Sequence, residues 1–295
     1  MEKRIITIYT VNDAMPGYLH IPDNVDVNHP APVIVFNNGY TAYKEMYDDM
    51  AEAFCNAGYI TLQYDNRGTA GSRHGFQLCG TEWKEDAHYA ISYAYGCPEV
   101  DRNRIALAGV SMGGAITLMQ GAVDSRIKCL YAMAPYLNGY LNDELPIRDN
   151  LGDVAWNDYL ARMFEDAAMV AHGFSSKKEN VDMDPCTGKY SEPDDQEKEA
   201  RKKHPLKITE LPLESTLNTY MYVDALSCAN RIKVPTLVVH GTADKTLDYK
   251  NSFMLFDELQ CIKEFHLIEG AGHILPEVAT KQCVEYGLKW FEQYL

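Results

Sequence analysis

The hexapeptide Gly109-Val110-Ser111-Met112-Gly113-Gly114 constrains this chain more than any other stretch. Residues 104–110 lead into it with the apolar pattern of a strand, and residues 114–122 lead out of it as a helix. A strand-to-helix turn this sharp holds its serine in a strained backbone conformation. Neighbouring chain passes so close that positions 109 and 113 tolerate no side chain. The turn lifts the hydroxyl above the sheet edge and aims a helix N-terminus at negative charge developing beside it. It needs a buried sheet on one side and a helix on the other, so the rest of the chain must supply a layered α/β core.

The periodicity does supply one. Residues 5–10 and 17–21 read as an opening hairpin. Strands are expected at 33–37, 59–64, 104–110, 129–134, 236–240 and 264–268, and helices at 47–57, 82–95, 114–122, 249–259 and 276–294. Val33-Ile34-Val35-Phe36-Asn37 is continuously apolar up to its last residue, as expected of a strand buried on both faces. Strands alternating with helices predict a mostly parallel central sheet with helices on both faces. The alternation lapses over residues 138–225. There, residues 153–170 carry an apolar helical stripe, and residues 177–203 crowd charges of both signs. The expected organisation is an α/β core, residues 1–137 and 226–295, interrupted by a helical cap, residues 138–225. The charged stretch is expected to be a solvated loop leading into another helix, with no function of its own. Tyr140, Trp156, Phe164 and Tyr220 are read first as cap core and second as the lining of an apolar pocket.

Composition narrows the function classes. A formal charge of −15 repels nucleic-acid phosphates and anionic membranes, and no basic stripe offsets it. The longest nearly apolar run, residues 129–137, is about half a membrane span. The first residues lack the apolar core of a secretory leader. The eight cysteines are scattered without a Cys-x-x-Cys pair and read as reduced thiols in a cytoplasmic protein. No His, Cys or carboxylate cluster has metal-ligand spacing, so neither a metal nor another cofactor is expected.

A serine at such a turn is a poor nucleophile until a base, oriented by an acid, removes its proton. In chain order serine, acid, base, the acid belongs after the strand that follows the insertion, where Asp244 stands. The base belongs after the last strand, where His273 stands. Asp248 is the rival acid and reads better as a helix cap. His240 closes a buried strand and reads as a satisfied core residue. His266 lies within a strand, and His74, His88, His172 and His204 have no partner with a role. Two oxyanion donors are expected, the backbone N–H of Met112 and that of Tyr40 in the loop Asn37-Asn38-Gly39-Tyr40.

On these residues the chain resembles the α/β-hydrolase superfamily. Tyr64-Asp65-Asn66-Arg67-Gly68-Thr69-Ala70-Gly71-Ser72 is similar to the Asp-x-Arg-Gly-x-x-x-Ser loop of its dienelactone hydrolase-like, acyl-peptidase-like and cocaine-esterase-like branches. The resemblance implies that Asp65 and Arg67 brace the active-site loops rather than react. Asn38 stands where many relatives have histidine, and one branch uses a tyrosine phenol in this loop as oxyanion donor, so backbone and phenol remain open for Tyr40. The implied activity is hydrolysis of carboxylic esters of small to medium size through an acyl-enzyme on Ser111. Thioester, lactone and aminoacyl or dipeptidyl peptide cleavage are alternatives, and a non-catalytic binding protein on this scaffold is a remoter one. The expected partners are a small-molecule acyl substrate and at most a second copy of the chain, with neither nucleic acid nor membrane.

Overall fold

The computed structural model describes residues 1–69, 79–184, 186–205 and 208–295. The chain opens with the hairpin β1 (Glu2–Tyr9) and β2 (Ala14–Ile21) and enters the middle of the sheet with β3 (Ala31–Asn37). Helix α1 (Asp48–Asn56) leads to β4 (Ile60–Tyr64), α2 (Gly80–Gly96) to β5 (Val100–Val110), and α3 (Met112–Gly121) to β6 (Ile127–Met133). The insertion contributes α4 (Leu145–Leu151), α5 (Asp153–Ala171), β7 (Lys178–Asn180), α6 (Asp195–Lys203), β8 (Glu210–Pro212) and α7 (Leu213–Tyr222). The core resumes with β9 (Thr236–Gly241), α8 (Asn251–Glu258), β10 (Lys263–Ile268), α9 (Leu275–Val278) and α10 (Thr280–Tyr294).

Eight strands form one sheet in the order β1-β2-β4-β3-β5-β6-β9-β10. Only β2 runs against its neighbours, pairing antiparallel with β1 and β4, and the other pairs are parallel. The two-residue period of β3 divides its side chains between two cores. Val33 and Val35 join the cluster under α2 and α3 with Trp83, Ile91 and Ile116. Ile34 and Phe36 join the cluster under α1 and α10 with Met50, Phe54, Trp290 and Phe291. Every residue of β3 is buried, so its apolar run reflects cover on both faces. Each such large side chain contributes about 1.5–3 kcal/mol on burial.

The insertion leaves the core after β6, and its two ends meet at a bridge between Asn138 and Asp224, beside the Ala225 N–H donating to Leu137 O at 2.7 Å. It has its own small core of Trp156, Tyr159, Met163, Leu213 and Leu217, with Tyr220 packed against it. Its helices are joined by an antiparallel pair, β7 and β8, which the periodicity did not signal. Two expectations change in detail. The last predicted helix divides at Ala279 (φ −139°), where the Thr280 hydroxyl donates to Pro276 O at 2.7 Å; a back-bond of this kind bends a helix. The stretch 177–203 is no plain solvated loop, because it holds β7 and α6. The N-terminus of α6 is capped by Asp194, which accepts from the Glu197 N–H at 2.9 Å.

No helix among the described residues is long and apolar enough to cross a membrane. All eight cysteines are free thiols.

Candidate active site

Ser111 sits at the junction of β5 and α3 with φ 57° and ψ −120°, a conformation that costs a non-glycine residue about 1–3 kcal/mol. Three contacts hold it there. Its N–H donates to Met133 O at 2.9 Å, and its carbonyl accepts from Tyr136 N at 3.0 Å and Ala115 N at 3.1 Å. The flanking glycines are required by space. A Cβ on Gly113 would strike the backbone of Asn37 and Asn38, and one on Gly109 would strike the backbone of Gly113. Gly39 lies over the serine less tightly, since an added Cβ would sit at an ordinary van der Waals distance of 3.5 Å from Ser111 Cβ.

Asp244 follows β9 and is enclosed by donors. Its Oδ1 accepts from the N–H groups of Thr246 (2.8 Å) and Leu247 (2.9 Å). Its Oδ2 meets His273 Nδ1 at 2.7 Å and His240 Nε2 at 3.0 Å. These hydrogen bonds, first those of the two imidazoles, hold its carboxyl well below the usual carboxylate range although burial opposes them. Because Nδ1 of His273 is engaged, Nε2 is the nitrogen left for the cavity. Ser111 and His273 line the same cavity, although no hydrogen bond joins them among the described residues; in unliganded sites such bonds are often long. His240 is fully enclosed, with Nδ1 2.7 Å from Ser252 Oγ. As expected it is a satisfied core residue, but what satisfies it includes the Asp244 carboxylate, a contact the sequence did not signal. Asp248 does not cap a helix as expected: α8 begins after Lys250 with no side-chain cap, and Asp248 Oδ1 accepts from the Lys250 N–H at 2.9 Å in the turn before it.

Met112 opens α3, so its N–H has no partner within the helix. Tyr40 follows Gly39 and precedes Thr41, whose φ of 65° marks a tightly turned loop. The Tyr40 ring packs 6.1 Å from that of Trp83, and its hydroxyl is buried beside Thr219 and Thr216 of α7. Burial pushes the phenol pKa far above its ordinary value. Asn38 donates to Tyr64 O at 2.6 Å, so it braces the loop from the sheet side. Asp65 accepts from Lys44 N and Nζ at 2.8 and 2.7 Å. Arg67 donates to Asp86 at 2.5 Å and to Glu85 at 2.5 Å, so Asp65 ties its loop to the turn at Lys44 and Arg67 ties it to α2. Ala70 to Ser72, the end of the family-like loop, and His74 lie outside the described residues.

The cavity holds about 410 Å³ and lies between the core loops and the insertion. Its outer wall comes from the charged stretch that read as functionless surface, including Val181, Asp182, Asp194 and Arg201. His204, which lacked a role in the sequence, also lines it. Tyr140, Trp156, Phe164 and Tyr220 do not. Trp156 and Tyr220 belong to the insertion's own core, while Tyr140 and Phe164 are about half exposed. Among the described residues no group of three or more His, Cys, Asp or Glu is arranged to hold a metal ion.

Comparison with known proteins agrees with this architecture. An uncharacterised 31.7 kDa protein of Escherichia coli is 22% identical over 98% of this chain and 99% of its own. The polyketide transferase GrgF of a Penicillium species is 24% identical over 82% of this chain and 81% of its own. The crystal structure of GrgF, an α/β hydrolase, superposes with a TM-score of 0.82 at 18% identity over 100% and 99% of the two chains. An esterase of Pyrococcus furiosus superposes with a TM-score of 0.61 at 16% identity over 99% and 93%. The family described as serine aminopeptidase S33 matches residues 28–277. The serine at its strained turn therefore stands in a member of that family of α/β-fold serine hydrolases, to which this chain belongs.

Proposed function

We propose that the protein cleaves carboxylic esters of small to medium size through an acyl-enzyme on Ser111. The observation that carries this reading is the 2.7 Å contact of Asp244 with His273, on the cavity that also holds Ser111. In this reading Ser111 Oγ attacks the ester carbonyl as His273 Nε2 takes its proton. The protonated ring returns that proton to the departing alcohol, and water repeats the cycle to release the acid. Asp244 fixes the ring with Nδ1 protonated and offsets the imidazolium charge. The N–H groups of Met112 and Tyr40 receive the oxyanion. Each such donor contributes about 10²–10³ in turnover in comparable enzymes. The burial of the Tyr40 phenol beside α7 favours its backbone N–H over its hydroxyl in that role.

A second reading keeps the same acyl-enzyme but passes the acyl group to an acceptor other than water, and the similarity to a protein named as a polyketide transferase favours it. One panel separates the readings. Esters, thioesters, lactones and aminoacyl amides are offered to the wild type and to Ser111→Ala, with and without added alcohols. Ester turnover that vanishes in Ser111→Ala and is indifferent to alcohols supports hydrolysis. Products carrying the added alcohol support transfer, and turnover of amides alone contradicts both.

A further inference from the structure

Five carboxyl groups line the cavity that holds Ser111 and His273: Asp182, Glu192, Asp194, Glu197 and Glu277. Four of them are satisfied. Arg201 donates to both oxygens of Asp182 (2.7 and 2.9 Å) and to Glu197 (2.7 Å), Lys198 donates to Glu192 (2.7 Å), and Asp194 caps α6. Glu277 is different. Its side chain is 6% exposed, and its Oε1 accepts no hydrogen bond from any described residue. His204 Nε2 lies 3.9 Å away, too far for a direct bond. Lys203, the neighbouring cation, is engaged with Asp49 on the surface. Burial accordingly pushes the Glu277 carboxyl up to about 7.

A buried carboxyl oxygen without a partner is costly, and each such group in a native structure asks for an explanation. Here the two facing groups come from opposite halves of the molecule, Glu277 from α9 of the core and His204 from the end of α6 in the insertion. Their 3.9 Å separation accommodates an oxygen about 2.8 Å from each. Such an oxygen must donate to Glu277 and be able to accept from the imidazole, which a hydroxyl does and a methyl group does not. A carboxylate there would face Glu277 as a like charge. An ammonium only donates, so it could not accept from the imidazole.

We propose that Glu277 and His204 form a subsite for a hydroxyl group of the substrate, an alcohol or phenol remote from the scissile carbonyl. The subsite rests on the reading of Ser111 as the nucleophile of this cavity. It makes Glu277 a specificity-determining residue, and it explains why position 277, four residues after His273 and among the apolar Ile274, Leu275, Pro276 and Val278, holds a carboxyl group.

The test uses two series of esters on the intact protein. The first is 4-nitrophenyl ω-hydroxyalkanoates of increasing chain length, each paired with the twin that ends in methyl. The second is butanoate esters of diols, paired with those of the matching alkanols. The expected result is a preference of tenfold or more in kcat/KM for at least one hydroxyl member over its twin. In Glu277→Leu and in His204→Phe that preference falls to within threefold. Glu277→Gln, which keeps an acceptor oxygen, retains part of it and guards against misfolding of the leucine variant. No preference above threefold in either series, or a preference that survives Glu277→Leu, overturns the subsite, as does a stronger preference for ω-ammonium twins. Ser111-dependent turnover without hydroxyl preference removes the subsite alone, whereas turnover unchanged in Ser111→Ala removes the nucleophile and the subsite with it.

Discussion

Asp244 and Glu277 are two buried carboxyl groups beside one cavity, and they have opposite surroundings. Asp244 receives two backbone N–H groups on one oxygen and two imidazoles on the other, and its carboxyl is held below the usual range. Glu277 is nearly as enclosed, has an oxygen that no described residue satisfies, and has its carboxyl pushed up to about 7 by burial. Burial acts on both in the same direction; hydrogen bonding decides which one remains an anion. In the proposed mechanism the first is a fixed charge beside the base. The second has an oxygen left without a partner among the described residues, which costs stability and, in the proposed subsite, receives a substrate hydroxyl.

The largest effect that follows is on the fixed charge. Asp244→Asn should lower kcat by about 10⁴ with little change in fold, because the amide no longer holds His273 in the required tautomer. A loss below tenfold would break the contrast by showing that Asp244 is no more than a structural anion. Next comes the second imidazole. His240→Leu should lower kcat by about 10- to 100-fold with KM nearly unchanged, and His240→Gln, which places a donor N–H close to the same point, should restore most of it. Equal loss in both variants would mean that His240 fills space rather than orients Asp244. Removing the buried hydrogen bonds also costs stability, about 1–3 kcal/mol for the leucine variant.

The sequence made one side of this contrast legible and concealed the other. Asp244 and His273 can be singled out from the sequence because the elbow fixes a chain order and the strands fix where the loops fall, and the structure brings the two side chains to 2.7 Å. Buried strands such as β3 announce themselves by composition. His240 was visible as a buried histidine only four residues before Asp244, and a buried histidine needs a partner, so the signal was present but ambiguous. Glu277 and the wall from the 177–203 stretch were not legible. Their place at the cavity depends on α6 folding back over the core loops, a tertiary placement that no local period encodes, and a run of mixed charge reads the same whether it faces solvent or a cavity. The division of the final helix at Ala279 was hidden for the same reason: helical periodicity continues across it.

The two carboxyls also give opposite pH signatures. A group whose folded pKa is depressed, as for Asp244, contributes stability above its unfolded value of 3.8 that is lost as pH falls through the depressed one. A group whose folded pKa is raised, as for Glu277, contributes stability at acid pH that is lost as pH rises through about 7. Asp86 and Asp143, each raised to about 6 by burial, add to that decline on the acid side of neutrality. Thermal melts of Glu277→Gln between pH 5 and 8 should therefore show a shallower decline than the wild type and a higher melting temperature at pH 8 (about 8 is where Glu277 is mostly ionised). An unchanged slope would show that Glu277 is satisfied after all. The smallest effect is expected at Tyr40. Its hydroxyl is buried beside α7, so Tyr40→Phe should change kcat by less than about threefold, whereas loss of a true oxyanion donor costs about 10²–10³.

The account turns on Ser111 as the nucleophile driven by His273 and Asp244, and covalent labelling tests it most directly. The protein is treated with a fluorophosphonate, and the adduct is located by peptide mass spectrometry alongside the rate of ester turnover. The expected result is one adduct on Ser111, absent in Ser111→Ala and formed far more slowly in His273→Ala, with the double variant little slower in turnover than either single one. An adduct elsewhere, or more than a tenth of wild-type turnover remaining in Ser111→Ala, would contradict it.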